Sequence, residues 1–90
     1  LFMASGITNS NEARKMNITG TVANGVISVD PDDIPGTPIL VFDGGGWSWS
    51  IARHSGIWKF TGFEMSGSSI THPSNGERTI TVVYVSSVKF

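Results

Sequence analysis

The feature that most constrains this chain is the alternation of large apolar residues with small or polar ones along short segments. Residues 47–53 show it most clearly, because two Trp and one Ile alternate there with two Ser and one Ala. A period of two is typical of half-buried β-strands. No stretch keeps the apolar spacing of a helix over two turns, and the best helical candidate, residues 10–15, amounts to at most one turn. The sequence therefore predicts an all-β fold.

Turn signals separate the strand-like segments. Asn24-Gly25 tolerates the positive φ angles of a tight hairpin, so we expect the chain to return antiparallel after it. Residues 30–38 carry three prolines and three acids and are predicted to form a loop. The predicted strands are residues 15–22, 26–29, 38–43, 47–53, 57–64, 69–72 and 78–85. Their spacing predicts one domain over residues 1–90, a compact antiparallel β-sandwich or partly open barrel of six to eight short strands.

Two of these segments are apolar on both faces. Residues 78–85 are expected to lie inside a sheet rather than at its edge. Residues 38–43 are typical of a central strand buried on both sides, and a strand buried in an oligomer interface would have the same pattern. Gly62 is expected to break the pleat of its strand.

Charge and composition exclude several functions. Six basic residues, scattered along the chain, stand against seven acidic ones, so no nucleic-acid partner is expected. The chain has no Cys, and therefore neither a disulfide scaffold nor a cysteine-ligated metal. The longest apolar run, residues 39–42, is far below the roughly 20 residues of a membrane helix, so no membrane insertion is expected.

Candidate catalytic and metal-ligating residues are few. His54 and His72 are the only histidines, Asp43 is the one acid placed to orient His54, and no nucleophile-elbow pattern accompanies them. The acidic loop of Asp30, Asp32 and Asp33 lacks the spacing of a calcium-binding EF-hand. We therefore predict no catalytic residues, no metal site and no cofactor, and thus not an enzyme.

Aromatic residues cluster in the middle of the chain. Trp47, Trp49, Trp58 and Phe60 lie on two segments expected to be neighbouring strands. If this face points inward, the rings form the core of a thin domain. If it points outward, they form a subunit interface or a surface that stacks on sugar rings. The second arrangement gives the alternative function, a carbohydrate-binding module using Trp47, Trp49 and Trp58 on a surface glycan.

Four segments define the layout of the chain. They are residues 1–6 (LFMASG), 15–22 (KMNITGTV), 36–42 (GTPILVF) and 79–85 (TITVVYV). The order and composition of these segments resemble those of small virion proteins of tailed bacteriophages. In those proteins a short N-terminal strand leads into a β-sandwich whose last strand ends near a Tyr. The resemblance implies a non-enzymatic structural subunit of the tail tip, the tail fibre or the head decoration. Such a subunit is located in the virion and assembles with other virion proteins.

The content of large apolar side chains points to assembly. Three Trp, five Phe and the apolar run at 39–42 exceed what one thin core of this size hides comfortably. The ends of the chain are also apolar, with Leu1, Phe2 and Met3 at one and Phe90 at the other, and are candidate assembly segments. We therefore expect a ring-like homo-oligomer, with a trimer as the first expectation from the phage resemblance. The alternative is a monomer that docks on a larger scaffold protein through the same ends of the chain.

Overall fold

A computed structural model describes residues 13–86, which form seven β-strands and one short 3-10 turn. The strands are β1 (Ala13–Val22), β2 (Val26–Val29), β3 (Gly36–Phe42), β4 (Ser48–His54), β5 (Ile57–Ser66), β6 (Ser69–Thr71) and β7 (Gly76–Ser86). The predicted all-β sandwich is confirmed. The 3-10 turn, Pro31–Asp33, lies in the predicted proline-rich loop and is capped by the Asp30 side chain.

The strands form two antiparallel sheets. Sheet A has the order β1-β7-β3, and sheet B has the order β2-β5-β4 with β6 paired to the far end of β5. The central position of β7 was predicted from its two apolar faces. Of the two interpretations of residues 38–43, the central strand is wrong, because β3 is an edge strand of sheet A. Pro38, which has no backbone N–H, and the bulge between Pro38 and Leu40 both suit an edge position.

The core lies between the inward faces of the two sheets. In sheet A, Val41 of β3 is opposite Val82 of β7, and both are buried. In sheet B, Phe60 of β5 lies between Ile27 and Ile51 of the neighbouring strands. The buried core residues are Val22, Ile27, Val29, Ile34, Val41, Phe60, Ile80 and Val82. Each fully buried side chain of this kind contributes about 1.5–3 kcal/mol, so this inner layer holds the sheets together.

Positive-φ turns join the strands where the sequence predicted them. Asn24 and Gly25 have φ of 52° and 81°, and Ser55 and Gly56 repeat these values between β4 and β5. Positive φ at both central residues is characteristic of a type I′ turn. The hairpin predicted at Asn24-Gly25 is nevertheless brief. Only Ala23 and Val26 pair across it, and then β1 joins sheet A while β2 joins sheet B.

Gly62 does not break its strand, which corrects the prediction from sequence. It stays in register opposite Trp49, and the strand runs on to Ser66. A Cβ atom at position 62 would lie 2.8 Å from Cη2 of the Trp49 ring. The glycine therefore makes room for an indole packed flat on the strand. Of the helical candidate at 10–15, residues 13–15 belong to β1 and the rest lies outside the described residues.

Candidate functional site

The outward face of sheet A is divided into a polar part and an apolar part. In the polar part, side chains bond to one another across β1 and β7. Thr19 Oγ1 lies 2.8 Å from Thr79 Oγ1, and Thr81 Oγ1 donates to Asn17 Oδ1 at 2.9 Å. These lateral bonds occupy groups that would otherwise be free for a ligand.

The apolar part is carried by β3 and β7. Leu40 and Phe42 flank the buried Val41, so they point away from the core and are 52% and 38% exposed. Leu40 lies opposite Val83, and Val85 follows two residues later on the same side of β7. We call these four outward residues, Leu40, Phe42, Val83 and Val85, the apolar face.

This surface is the candidate binding site on physical grounds. Single exposed apolar residues are ordinary on monomers, but a contiguous exposed patch marks an interaction surface. Ile39, at the bulge beside Leu40, is also 52% exposed and extends the apolar surface along β3. The bulge and Pro38 limit backbone pairing along this edge, which favours recognition through side chains.

The outward face of sheet B is different over the body of the sandwich. Along β4 its exposed residues are Ser48, Ser50, Ala52 and His54. An open depression lies nearby, lined by Thr21, Ala23, Asn24, Val26, Ser28 and Lys59. This lining offers one cation and a few hydroxyl and amide groups, without a converging set of side chains for chemistry.

The aromatic residues identified from sequence lie mostly on the inner side. Trp49 and Trp58 pack against the core cluster, and Phe60 is completely buried. Phe60 is therefore a core residue and not a contact for a partner or a glycan. Trp47 precedes β4, and its ring lies 5.7 Å from the guanidinium carbon of Arg78. Trp58 has Arg53 at 5.3 Å in the same way. Stacking on sugars needs open ring faces, so this arrangement does not favour the carbohydrate-binding alternative.

Of the three candidate catalytic residues, Asp43 and His72 have structural contacts, whereas His54 is exposed at the end of β4. Asp43 Oδ2 accepts a bond from Arg78 at 2.9 Å, and its Oδ1 accepts one from the Gly45 amide. The carboxylate is almost completely buried, so its pairing joins the loop after β3 to sheet A. His72 Nδ1 donates to the Gly62 carbonyl oxygen at 2.6 Å. Among residues 13–86, no three His, Asp or Glu side chains converge as a metal site would require.

A second exposed element extends from sheet B. The end of β5 and the whole of β6 form a hairpin, and every residue from Glu64 to Thr71 is exposed. Met65 and Ile70 are direct cross-strand partners in it and are 57% and 60% exposed. We call this hairpin, residues 64–71, the arm.

The base of the arm is held in place by backbone and side-chain hydrogen bonds. The Gly62 amide donates to the Gly25 carbonyl at 2.9 Å, while His72 bonds to the Gly62 carbonyl oxygen. A Cβ atom at Gly25 would lie 2.8 Å from the His72 ring, so glycine permits this close approach. The Asn24 amide also donates to Asn75 Oδ1 at 2.9 Å. The arm therefore has a defined direction relative to the sandwich.

The sequence anticipated only part of this surface. The exposed apolar face follows from the interface alternative considered for residues 38–43. The arm was not predicted as a site, although Met65 and Ile70 stand at equal distances from the Gly67-Ser68 turn and so become neighbours in a hairpin. The candidate assembly residues Leu1, Phe2, Met3 and Phe90 lie outside the described residues.

Comparison with family models, with curated proteins and with solved structures found no match to this chain. The part of the chain from 13 to 86 contains no helix of the length and apolar character needed to cross a membrane.

Proposed function

We propose that this protein is a non-enzymatic structural subunit that acts by protein–protein assembly, as part of a bacteriophage particle. The observation that carries the assembly function is the apolar face on sheet A. Leu40 and Phe42 are outward residues of a strand whose inward residue, Val41, already fills the core. The core therefore does not account for them, and a partner surface would.

Burial of the apolar face against a partner is favoured over its exposure to water. Removing a large apolar side chain from water contributes about 1.5–3 kcal/mol when burial is complete. Leu40 and Phe42 are still 52% and 38% exposed, so covering them gives a useful driving force for association. Val83 and Val85 are already half-buried and add less to it. The neighbouring hydroxyl and amide groups are already bonded laterally, so they impose little desolvation cost at the rim.

The particle itself is supported by the sequence resemblance to small virion proteins. A virion subunit needs a surface that joins its neighbours, and the exposed apolar residues of β3 would serve as one. We expect the neighbouring genes in the genome to encode head and tail morphogenesis proteins. A location among metabolic genes, away from any virion gene, would contradict the proposal that the protein belongs to a phage particle. It would not affect the proposal that the protein self-assembles, which has its own test.

The assembly function is tested by light scattering on the full chain at tens of micromolar. The wild type is expected to have a mass above that of a monomer. The variant Leu40→Asp/Phe42→Asp is expected to be monomeric, since two charges enter the apolar face. The matched control Ser50→Asp/Ala52→Asp places the same charges on exposed positions of β4 and should assemble like the wild type.

Circular dichroism and a urea midpoint for each variant show that it is folded. A wild type that stays monomeric over this range contradicts the self-assembly proposal. So does a folded Leu40→Asp/Phe42→Asp variant that assembles as well as the wild type.

A further inference from the structure

The chain has two Asn-Gly dipeptides, and the fold brings them into contact. Asn24-Gly25 forms the turn between β1 and β2, and Asn75-Gly76 leads into β7. The backbone amide of Asn24 donates to Oδ1 of Asn75 at 2.9 Å. An asparagine before a glycine loses its side-chain amide more easily than one before any other residue, because no Cβ atom shields the glycine nitrogen. Both asparagines are therefore candidates for the same covalent change, and their surroundings decide between them.

The reaction needs no reagent except water. The backbone nitrogen of the glycine loses its proton and attacks Cγ of the preceding asparagine. The N–Cγ bond forms, the Cγ–Nδ2 bond breaks, and the nitrogen leaves as ammonia with a proton added. Water then opens the cyclic succinimide at either of its carbonyl groups. The product is aspartate or isoaspartate, and the amide has been exchanged for a negatively charged carboxylate.

The surroundings of Asn24 oppose this reaction. Gly25 is buried, and its carbonyl oxygen accepts a backbone amide of β5 at 2.9 Å. The His72 ring lies so close that a Cβ atom at Gly25 would be 2.8 Å from it. Ala23 and Val26 exchange two backbone bonds of 3.0 Å across the turn. Ring closure requires the peptide between asparagine and glycine to rotate, and these contacts hold it in the turn.

The surroundings of Asn75 leave the reaction open. Asn75 and Gly76 are both exposed, and a Cβ atom at Gly76 would meet nothing within 4 Å. Gly76 is the first residue of β7 and pairs with Val22, the last residue of β1. The pair therefore lies at the end of its ladder, where backbone pairing opens most readily. The glycine nitrogen can thus become available without unfolding of the sheet.

The bond between the two dipeptides also assists the attack. Negative charge develops on Oδ1 of Asn75 as the glycine nitrogen approaches Cγ. The Asn24 N–H donates to that oxygen at 2.9 Å, a distance at which a backbone amide stabilises a developing oxyanion. The donor belongs to a fixed turn, so it is in place before the reaction begins. The protected dipeptide therefore supplies a group that activates the exposed one.

We propose that Asn75 is a site of spontaneous deamidation in the folded protein, and that the fold protects Asn24 from the same reaction. The inference goes beyond the proposed assembly function and does not depend on it, because neither residue belongs to the apolar face. An aspartate at position 75 still accepts the Asn24 amide. Isoaspartate lengthens the main chain just before β7 and so alters the base of the arm.

Peptide mapping by mass spectrometry tests the inference on the full chain. The protein is incubated at mildly alkaline pH in buffer and, separately, in guanidinium chloride above its unfolding midpoint. Unfolded, both asparagines should convert at similar rates, since neither has its native contacts. Folded, Asn75 should convert at least as fast as in denaturant, whereas Asn24 should convert about ten-fold more slowly than in denaturant or less.

Each half of the proposal has a result that overturns it. Slower conversion of Asn75 in buffer than in guanidinium chloride would show that the fold does not activate this site. Conversion of Asn24 as fast as that of Asn75 in buffer would show that the turn gives no protection.

Two variants, checked for folding by circular dichroism, separate the roles of the two asparagines. Asn75→Gln should stay unconverted at position 75, because the longer side chain closes the corresponding ring far less readily. Asn24→Gly tolerates the φ of 52° at this position and keeps the backbone N–H. It should therefore leave the conversion of Asn75 at the wild-type rate. Loss of that conversion in a folded Asn24→Gly variant would show that the Asn24 side chain, and not its backbone amide, assists the reaction.

Discussion

β3 and β4 are both edge strands of seven residues, one in each sheet, yet their outward positions differ. β4 alternates strictly, with Trp49 and Ile51 packed against the core and Ser50 and Ala52 exposed. β3 places the buried Val41 between two exposed apolar residues. β4 therefore exposes small or polar residues on its outward side, whereas β3 exposes large apolar residues that the core does not use.

When an edge strand is apolar on both sides, the burial of each side needs its own explanation. The inward side of β3 packs against the core in the same way as that of β4. Its outward side has no such partner among the described residues, and this is why we propose it as an assembly surface.

The largest effect is expected from a matched pair of Phe→Ala changes. Phe60 is 0% exposed on the inward side of sheet B, so Phe60→Ala should cost about 3–5 kcal/mol of unfolding free energy. Phe42→Ala, on the outward side of β3, should cost about 1 kcal/mol or less in the monomer. Urea denaturation at low protein concentration measures both. Equal losses would show that Phe42 is a core residue, and the contrast between the sides would disappear.

A smaller loss of stability is expected from Gly62→Ala, which tests whether Trp49 of β4 packs on Gly62 at the inward side of sheet B. The added methyl group would lie 2.8 Å from the Trp49 ring, so the indole must move at a cost of about 1–3 kcal/mol. Replacing the indole first, as Trp49→Leu, should make the same glycine change cost much less. The double-mutant cycle is read from urea midpoints. Full additivity would mean that Trp49 does not pack on Gly62.

The smallest effect is expected on the outward side of β4. Ser50→Val lies opposite Thr61 in the middle of this edge and should change stability by no more than about 0.5 kcal/mol. Its mass by light scattering should equal that of the wild type. If this single valine increased association as strongly as Leu40→Asp/Phe42→Asp reduced it, apolar character alone would decide assembly, whichever strand carried it.

Much of the fold could be predicted because its strongest signals are local. The alternation at residues 47–53 and the Asn-Gly turn each specify backbone geometry within a few neighbours. Even so, the turn did not reveal that β1 and β2 separate into two sheets, since that depends on where β7 and β5 lie. The pairing of Asp43 with Arg78, distant in sequence, was invisible for the same reason.

The candidate site was less predictable than the fold. A run that is apolar on both sides has the same pattern in a central strand and in an interface strand, so residues 38–43 left two interpretations open. The number of neighbouring strands decides between them, and only the sheet order supplies it. The exposed apolar pair of the arm depends on cross-strand pairing of Met65 with Ile70, which appears only once the hairpin register is known.

Hydrogen–deuterium exchange at increasing protein concentration tests the central claim most directly, because it measures the two edge strands in one experiment. If the apolar face is the assembly surface, amides of β3 and of residues 83–85 should exchange more slowly as concentration rises. Amides of β4 should keep the same rate, since the outward side of that strand stays in water. Concentration-independent exchange in β3, or slowing confined to β4, would contradict the account.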